Sequence, residues 1–100
     1  MKEYLNDRLL VQGIEAHIRV MNEGDAANLE PFGFEAGTPI DRIHQYNALM
    51  VLSKLDFPRE ESLDPKSQST QYLDELAKNE SNVETIIEKL VAYREESVNS

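Results

Sequence analysis

The chain has two histidines, His17 and His44, and they are its most chemically versatile side chains. Each falls near the apolar stripe of a segment with helical spacing. Folding can therefore bring them together as half of a metal site or an acid–base pair. Neither has a carboxylate close in sequence that would complete such a site, so packed, structural histidines are the expectation. Asp41 and His44 lie one turn apart and are expected to interact at a helix start.

Other chemistry has less support. The spaced acids include Glu84/Glu88 and Glu61/Asp64, with no Glu-x-x-Glu or Glu-x-x-His. Inward carboxylates on several helices, as a di-metal bundle requires, are therefore not expected. Serines crowd between residues 62 and 70 and at helix starts, with no Gly-x-Ser-x-Gly elbow. The four glycines form neither a phosphate-binding loop nor a dinucleotide fingerprint. With no cysteine, thiolate catalysis, disulfides and cysteine-ligated zinc are excluded. No catalytic residue, metal ligand or cofactor is expected.

The elements that position these residues read as helices. Gly37-Thr38-Pro39-Ile40-Asp41 gives a helix start, with Thr38 as the cap, Pro39 in the first turn and Asp41 on the positive end of the dipole. Ile43, Tyr46 and the run Ala48-Leu49-Met50-Val51-Leu52 make its second half apolar on every side, so it must be enclosed. Leu10, Ile14, Ile18 and Met21 recur at helical spacing before Gly24, which suits a helix end. Glu15 and Arg19 form an i,i+4 pair on the wetter side. Asp64-Pro65 can open a third helix, with Tyr72, Leu73, Leu76 and Ala77 as its apolar face and Asn79 as its close. Ser81-x-x-Glu84 has the pattern of a capping box before Val83, Ile86, Ile87, Leu90 and Val91, a face continuing toward Val98 before Asn99 and Ser100 fray.

The expected fold is all-α: one helical domain over residues 1–100, a small bundle of about four helices (roughly 2–22, 39–55, 65–78 and 82–97). A long loop spans 23–37, with Asp25 capping a single turn that Pro31 ends, and a flexible polar linker spans 59–68. Forty per cent apolar and 29% charged residues suit a globular protein. Nineteen acids against ten bases leave a net charge of −9, spread over both halves of the chain. Such a surface repels phosphate backbones and anionic lipid, so neither direct nucleic-acid binding nor membrane binding is expected. No apolar run approaches the ~20 residues of a membrane span. Residues 1–8 carry acids and lack an apolar signal core, which points to the cytoplasm.

In a loop between flexible glycines, Phe32 and Phe34 are candidate anchors for a partner, together with Ile40 and Tyr46 on the following helix. Asn47 lies one turn from both Ile43 and Val51, inside the apolar part of that helix. It is expected to bond a neighbouring carbonyl, or to fix register across a symmetric interface. The short, acidic, cysteine-free character is similar to many small phage- or mobile-element-encoded accessory proteins, a likeness of composition and not of motif. The functional expectation is a non-enzymatic interaction module that self-associates or binds a basic protein surface. The alternatives are a structural assembly subunit and a small metal-dependent hydrolase using His17, His44 and acids.

Overall fold

In the computed structural model, described for residues 2–99 and for side chains of residues 3–96, the described chain is helical and contains no strand. The helices are α1 (Lys2–Leu5), α2 (Arg8–Glu23), α3 (Ile40–Lys54), α4 (Arg59–Leu63), α5 (Gln68–Asn79) and α6 (Val83–Asn99). The all-α expectation holds, with shorter pieces added to the four main helices. The side chain of Val98 and the ends at Asn99 and Ser100 lie outside the described side chains.

The first expected helix is broken at Asp7. Its carboxylate accepts the backbone N–H of Leu10 at 3.2 Å and so caps α2, a local bond that competes with continuing the helix from α1. The same carboxylate receives Lys54 Nζ at 2.9 Å from the last turn of α3. The positive start of α2 therefore meets the negative end of α3, and the two helices run antiparallel. Their seam is tight at Gly13. A Cβ built there would come within 2.6 Å of Met50 Cε and 3.2 Å of Val51 Cγ2. Glycine at this position suits the close approach of the helices and is not called for by its backbone angles; a Cβ there would have to displace the flexible end of Met50 and press on Val51.

The main core joins Leu10 and Ile14 of α2, Val51 and Leu52 of α3, Leu73 and Leu76 of α5, and Ile86, Ile87 and Leu90 of α6. A smaller cluster of Ala16, Val20, Leu29 and Ile43 draws in the 23–37 segment, with Phe32, Phe34 and Ile40 partly buried against it. The enclosed helix is thus α3: Ile43, Asn47, Ala48, Val51 and Leu52 are buried. It is not enclosed on every side, because Tyr46 is 53% exposed. A radius of gyration of 12.8 Å matches the ~13 Å of a compact chain of this length.

Several helix starts differ from expectation by a few residues. Pro39, not Thr38, sits at the cap of α3, and the Thr38 hydroxyl donates back to Glu35 O at 2.7 Å. Asp25 caps no turn over 26–29. Instead, two 3₁₀ turns form, Gly24–Ala26 and Glu30–Phe32, with Pro31 inside the second. Asp64-Pro65 does not open α5; Ser67 does, its Oγ accepting Thr70 N at 3.1 Å. Asn82, one residue past Ser81, accepts Thr85 N at 3.1 Å at the start of α6. At α5 and α6 a neighbouring small polar side chain offers an equivalent acceptor, whereas α3 starts at Pro39 without a side-chain cap.

Residues 59–68, expected as a polar linker, contain α4. Their hydroxyls are used internally: Ser62 Oγ donates to Pro58 O at 3.0 Å, and Ser67 Oγ to Glu61 O at 2.7 Å. Thr70 Oγ1 lies 3.0 Å from Asp64 O. Ser62, Ser69 and Thr70 are buried, so side-chain hydroxyls satisfy the backbone of this corner. At the C-terminal end of α3, Arg94 Nη1 donates to Leu55 O at 2.6 Å, tying α6 to a turn in which Asp56 takes a left-handed φ of 65°.

Candidate functional site

Two features stand out: an aromatic notch on the α2–α3 face and a histidine–aspartate cluster among α2, α3 and α5. The notch is a shallow cavity of about 60 Å³ lined by Leu9, Gln12, Gly13, Ala16, Phe32, Phe34, Tyr46, Asn47 and Met50. Gly13 and Ala16 leave room beside the helix seam, and the 3₁₀ turn over Glu30–Phe32 brings the loop back across it. Phe34 and Tyr46 meet edge-to-face with ring centroids 5.7 Å apart, a favoured geometry that holds the loop against α3. Arg19 lies 5.8 Å from the Phe32 ring centroid. Its carboxylate neighbour at 4.0 Å is Glu23, not the expected Glu15. Leu9 and Tyr46 remain 55% and 53% exposed.

Of the interaction residues expected from sequence, Phe32, Phe34, Tyr46 and Asn47 are brought together here. Ile40 does not line the notch: it packs with Phe32 and Phe34 against the smaller cluster and, with Phe34, lines a larger cavity of about 490 Å³ beneath the 25–40 loop. Asn47 contributes no exposed polar group: it is fully buried, and neither its Oδ1 nor its Nδ2 has a hydrogen-bond partner. The neighbouring carbonyl expected for it is not in reach. Leu9 and Met50 join the surface although sequence did not single them out, because their helical stripes point mainly to the core.

The second feature was half legible. His17 and His44 do approach, with ring centroids 4.9 Å apart, and the missing carboxylate comes from α5. Asp74 Oδ1 accepts from His17 Nε2 and from His44 Nε2, each at 2.8 Å. Sequence separations of 57 and 30 residues hid this partner. One weak signal was present: Asp74 adjoins Leu73 and lies three residues before Ala77 on the apolar face expected for this helix, which places it on the edge of that face without naming its partners.

Burial sets the charge state of each member. His17 is wholly inaccessible, and desolvation pushes its pKa below the usual imidazole value against the pull of Asp74. It is therefore the neutral Nε2–H tautomer near neutral pH, with Nδ1 left buried and unpartnered. His44 is 21% exposed. Its bond to Asp74 raises its pKa, over an opposing desolvation effect and with help from Asp74 and Asp41 charge. Asp74 itself would be raised by burial, but the two imidazole donors outweigh this and bring it to about 2. The expected Asp41–His44 interaction is thus electrostatic, while the hydrogen bond goes to Asp74. A cleft of about 360 Å³ lined by Asp41, His44, Gln45 and Pro65 opens on the His44 side.

The fold and these sites define a small all-α protein. Among the described residues, no helix is long and apolar enough to cross a membrane. No family model, curated protein or solved structure matches the chain.

Proposed function

We propose that this protein is a non-enzymatic helical interaction module that docks a protein partner through the Leu9–Phe34–Tyr46–Met50 notch. The observation that carries this reading is the pairing of two large, more than half-exposed apolar side chains, Leu9 and Tyr46, around a preformed aromatic depression. Aromatic residues beside a small pocket are the usual composition of a binding hot spot. The occupant is a protein surface that inserts an apolar side chain and surrounds it with basic residues, because the net charge of −9 attracts such a rim. A second copy of the chain would bring the same negative charge, so self-association has to rest on the apolar notch alone.

Leu9→Ala removes exposed area alone, and Tyr46→Ala also removes the ring that Phe34 meets; neither deletes a buried core side chain. Each is expected to weaken capture of the native partner, with helical circular dichroism unchanged, and added salt should slow association by screening the rim. Capture by both variants that is unchanged from wild type rejects the notch, and indifference to salt rejects the basic rim. Light scattering on the same variants reads self-association separately. A dimer that Tyr46→Ala dissolves would make the second copy the occupant.

A further inference from the structure

The histidine–aspartate cluster takes no part in the notch, and its geometry points to a use of its own. We propose that His17 Nε2, His44 Nε2 and Asp74 Oδ1 form a three-ligand site for Zn²⁺, with further coordination open toward the cleft beside His44. This proposal goes beyond the interaction reading, and neither depends on the other.

The donor set is the first support. Two imidazole nitrogens and one carboxylate oxygen are a well-suited zinc set, and three protein ligands plus an open position are a recurrent zinc arrangement. The three ligand atoms all lie within 4.8 Å of one another, and they come from three different helices. Both Nε2 atoms aim at the same oxygen at 2.8 Å. Bonds of ~2.0–2.1 Å in a tetrahedron place ligands ~3.3 Å apart, so each imidazole–carboxylate contact has to open by ~0.5 Å, while the most separated pair, within 4.8 Å, closes by up to ~1.5 Å, a movement open to the partly exposed His44 and Asp74 side chains. His44 and Asp74, at 21% exposure each, and the cleft lined by His44, Asp41, Gln45 and Pro65 provide an entry path. His17 closes the inner side.

The second support is a set of unpartnered atoms. Among the described residues, His17 Nδ1 and Asn47 Oδ1 and Nδ2 are buried side-chain atoms with no hydrogen-bond partner. They belong to one helix seam: in the antiparallel register Gly13 meets Met50 and Val51, and His17 meets His44. Asn47 therefore falls on α3 between these two contacts, facing α2. A zinc-bound imidazole needs its remote N–H fixed by an acceptor. When Zn²⁺ takes the Nε2 lone pair of neutral His17, the ring proton moves to Nδ1, and a carboxamide oxygen is the acceptor it then needs. Asn47 Oδ1 fills that role after a side-chain adjustment. His44 gives up its Nε2 proton in the same way, to its own Nδ1 or to solvent. Asp74 binds as the carboxylate it already is.

The test uses the full chain, stripped with chelator and titrated with Zn²⁺ alone. Calorimetry should give one site per chain, and the melting temperature should rise with Zn²⁺ and fall back with chelator. Co²⁺ in place of Zn²⁺ should give the visible d–d absorption of a low-symmetry site. As the chain has two histidines, the imidazole NMR signals of the unaltered protein report binding without any substitution, and both should move at one equivalent. His44→Ala and Asp74→Asn should abolish saturable binding. Asn47→Ala should weaken it by ~10–100-fold, the usual effect of losing a partner behind a metal ligand. Imidazole signals unmoved at one equivalent, or Zn²⁺ affinity unchanged in His44→Ala and Asp74→Asn, would overturn the proposal. The cluster would then be a hydrogen-bonded part of the core and nothing more.

Discussion

Replacing Asp74 with alanine is the sharpest probe of the cluster in the metal-free, chelated protein. The substitution removes the acceptor of two Nε2–H groups, but the two histidines do not lose equally. His44 is partly exposed and can turn its N–H to water. His17 is fully buried, so its donor is left with nothing, and losing a hydrogen bond to a charged group costs ~1.5–3 kcal/mol. The depression of the Asp74 pKa from 3.8 to about 2 leads to a similar figure. At ~1.36 kcal/mol per unit it sets an upper bound of ~2.4 kcal/mol, and partial exposure trims this to ~1–2 kcal/mol. Both figures describe the same interaction and are not added. We expect a loss of ~2 kcal/mol at neutral pH, read by urea denaturation as a midpoint lowered by roughly 1–2 M. Because the folded pKa is depressed, this contribution is fully present above 3.8 and is lost as pH falls through about 2. The gap between wild type and Asp74→Ala should therefore narrow over that window. A gap below ~0.5 kcal/mol at neutral pH, the median worth of an exposed ion pair, would refute the reasoning, as would a gap that does not change on acidification.

Three further outcomes follow from the same geometry. In the chelated protein, NMR titration of the two imidazoles should place His44 above and His17 below the ordinary value of 6.5. The His44 contribution to stability is then full below 6.5 and lost as pH rises through its raised pKa; that of His17 is full above 6.5 and lost as pH falls through its lowered one. Coincident midpoints would contradict the assignment. Gly13→Ala places a Cβ against the flexible end of Met50 and the stiffer Val51. A helix-propensity gain of up to ~1 kcal/mol should nearly offset that contact, whereas Gly13→Val should cost ~1–3 kcal/mol by overpacking; equal thermal stability of the two would disprove the tight seam. Asn47→Leu replaces two unpartnered buried atoms by two bulkier methyl groups with the same branching and should keep or raise the urea midpoint of the chelated protein, because relief of ~1–3 kcal/mol of unmet polar burial offsets the crowding, while a clearly lowered midpoint would mean that the amide is satisfied in solution.

Periodicity and charge alone determined much of this protein. The apolar repeat Leu10–Ile14, the run through Val51-Leu52 and the stripe Ile86-Ile87-Leu90 specified three helices whose buried faces are the observed ones, because one face of a helix repeats every three or four residues whatever it packs against. Gly24 ends α2 as its backbone freedom suggests, with a φ of 58°. Sequence also marked Phe32, Phe34 and Tyr46 as neighbours of a shared surface. It did not identify Asp7 as a cap or the hydroxyl-bonded corner at Ser62 and Ser67, since small polar side chains serve loops and helix starts alike. Tertiary structure alone decided that Asp74 completes His17 and His44. Those three side chains converge because three helices cross at one point, and helix crossing is set by how distant faces fit together. No local spacing encodes it. The same crossing leaves Asn47 without a partner, turning an ordinary polar residue of α3 into the atom pair on which the zinc proposal can be tested.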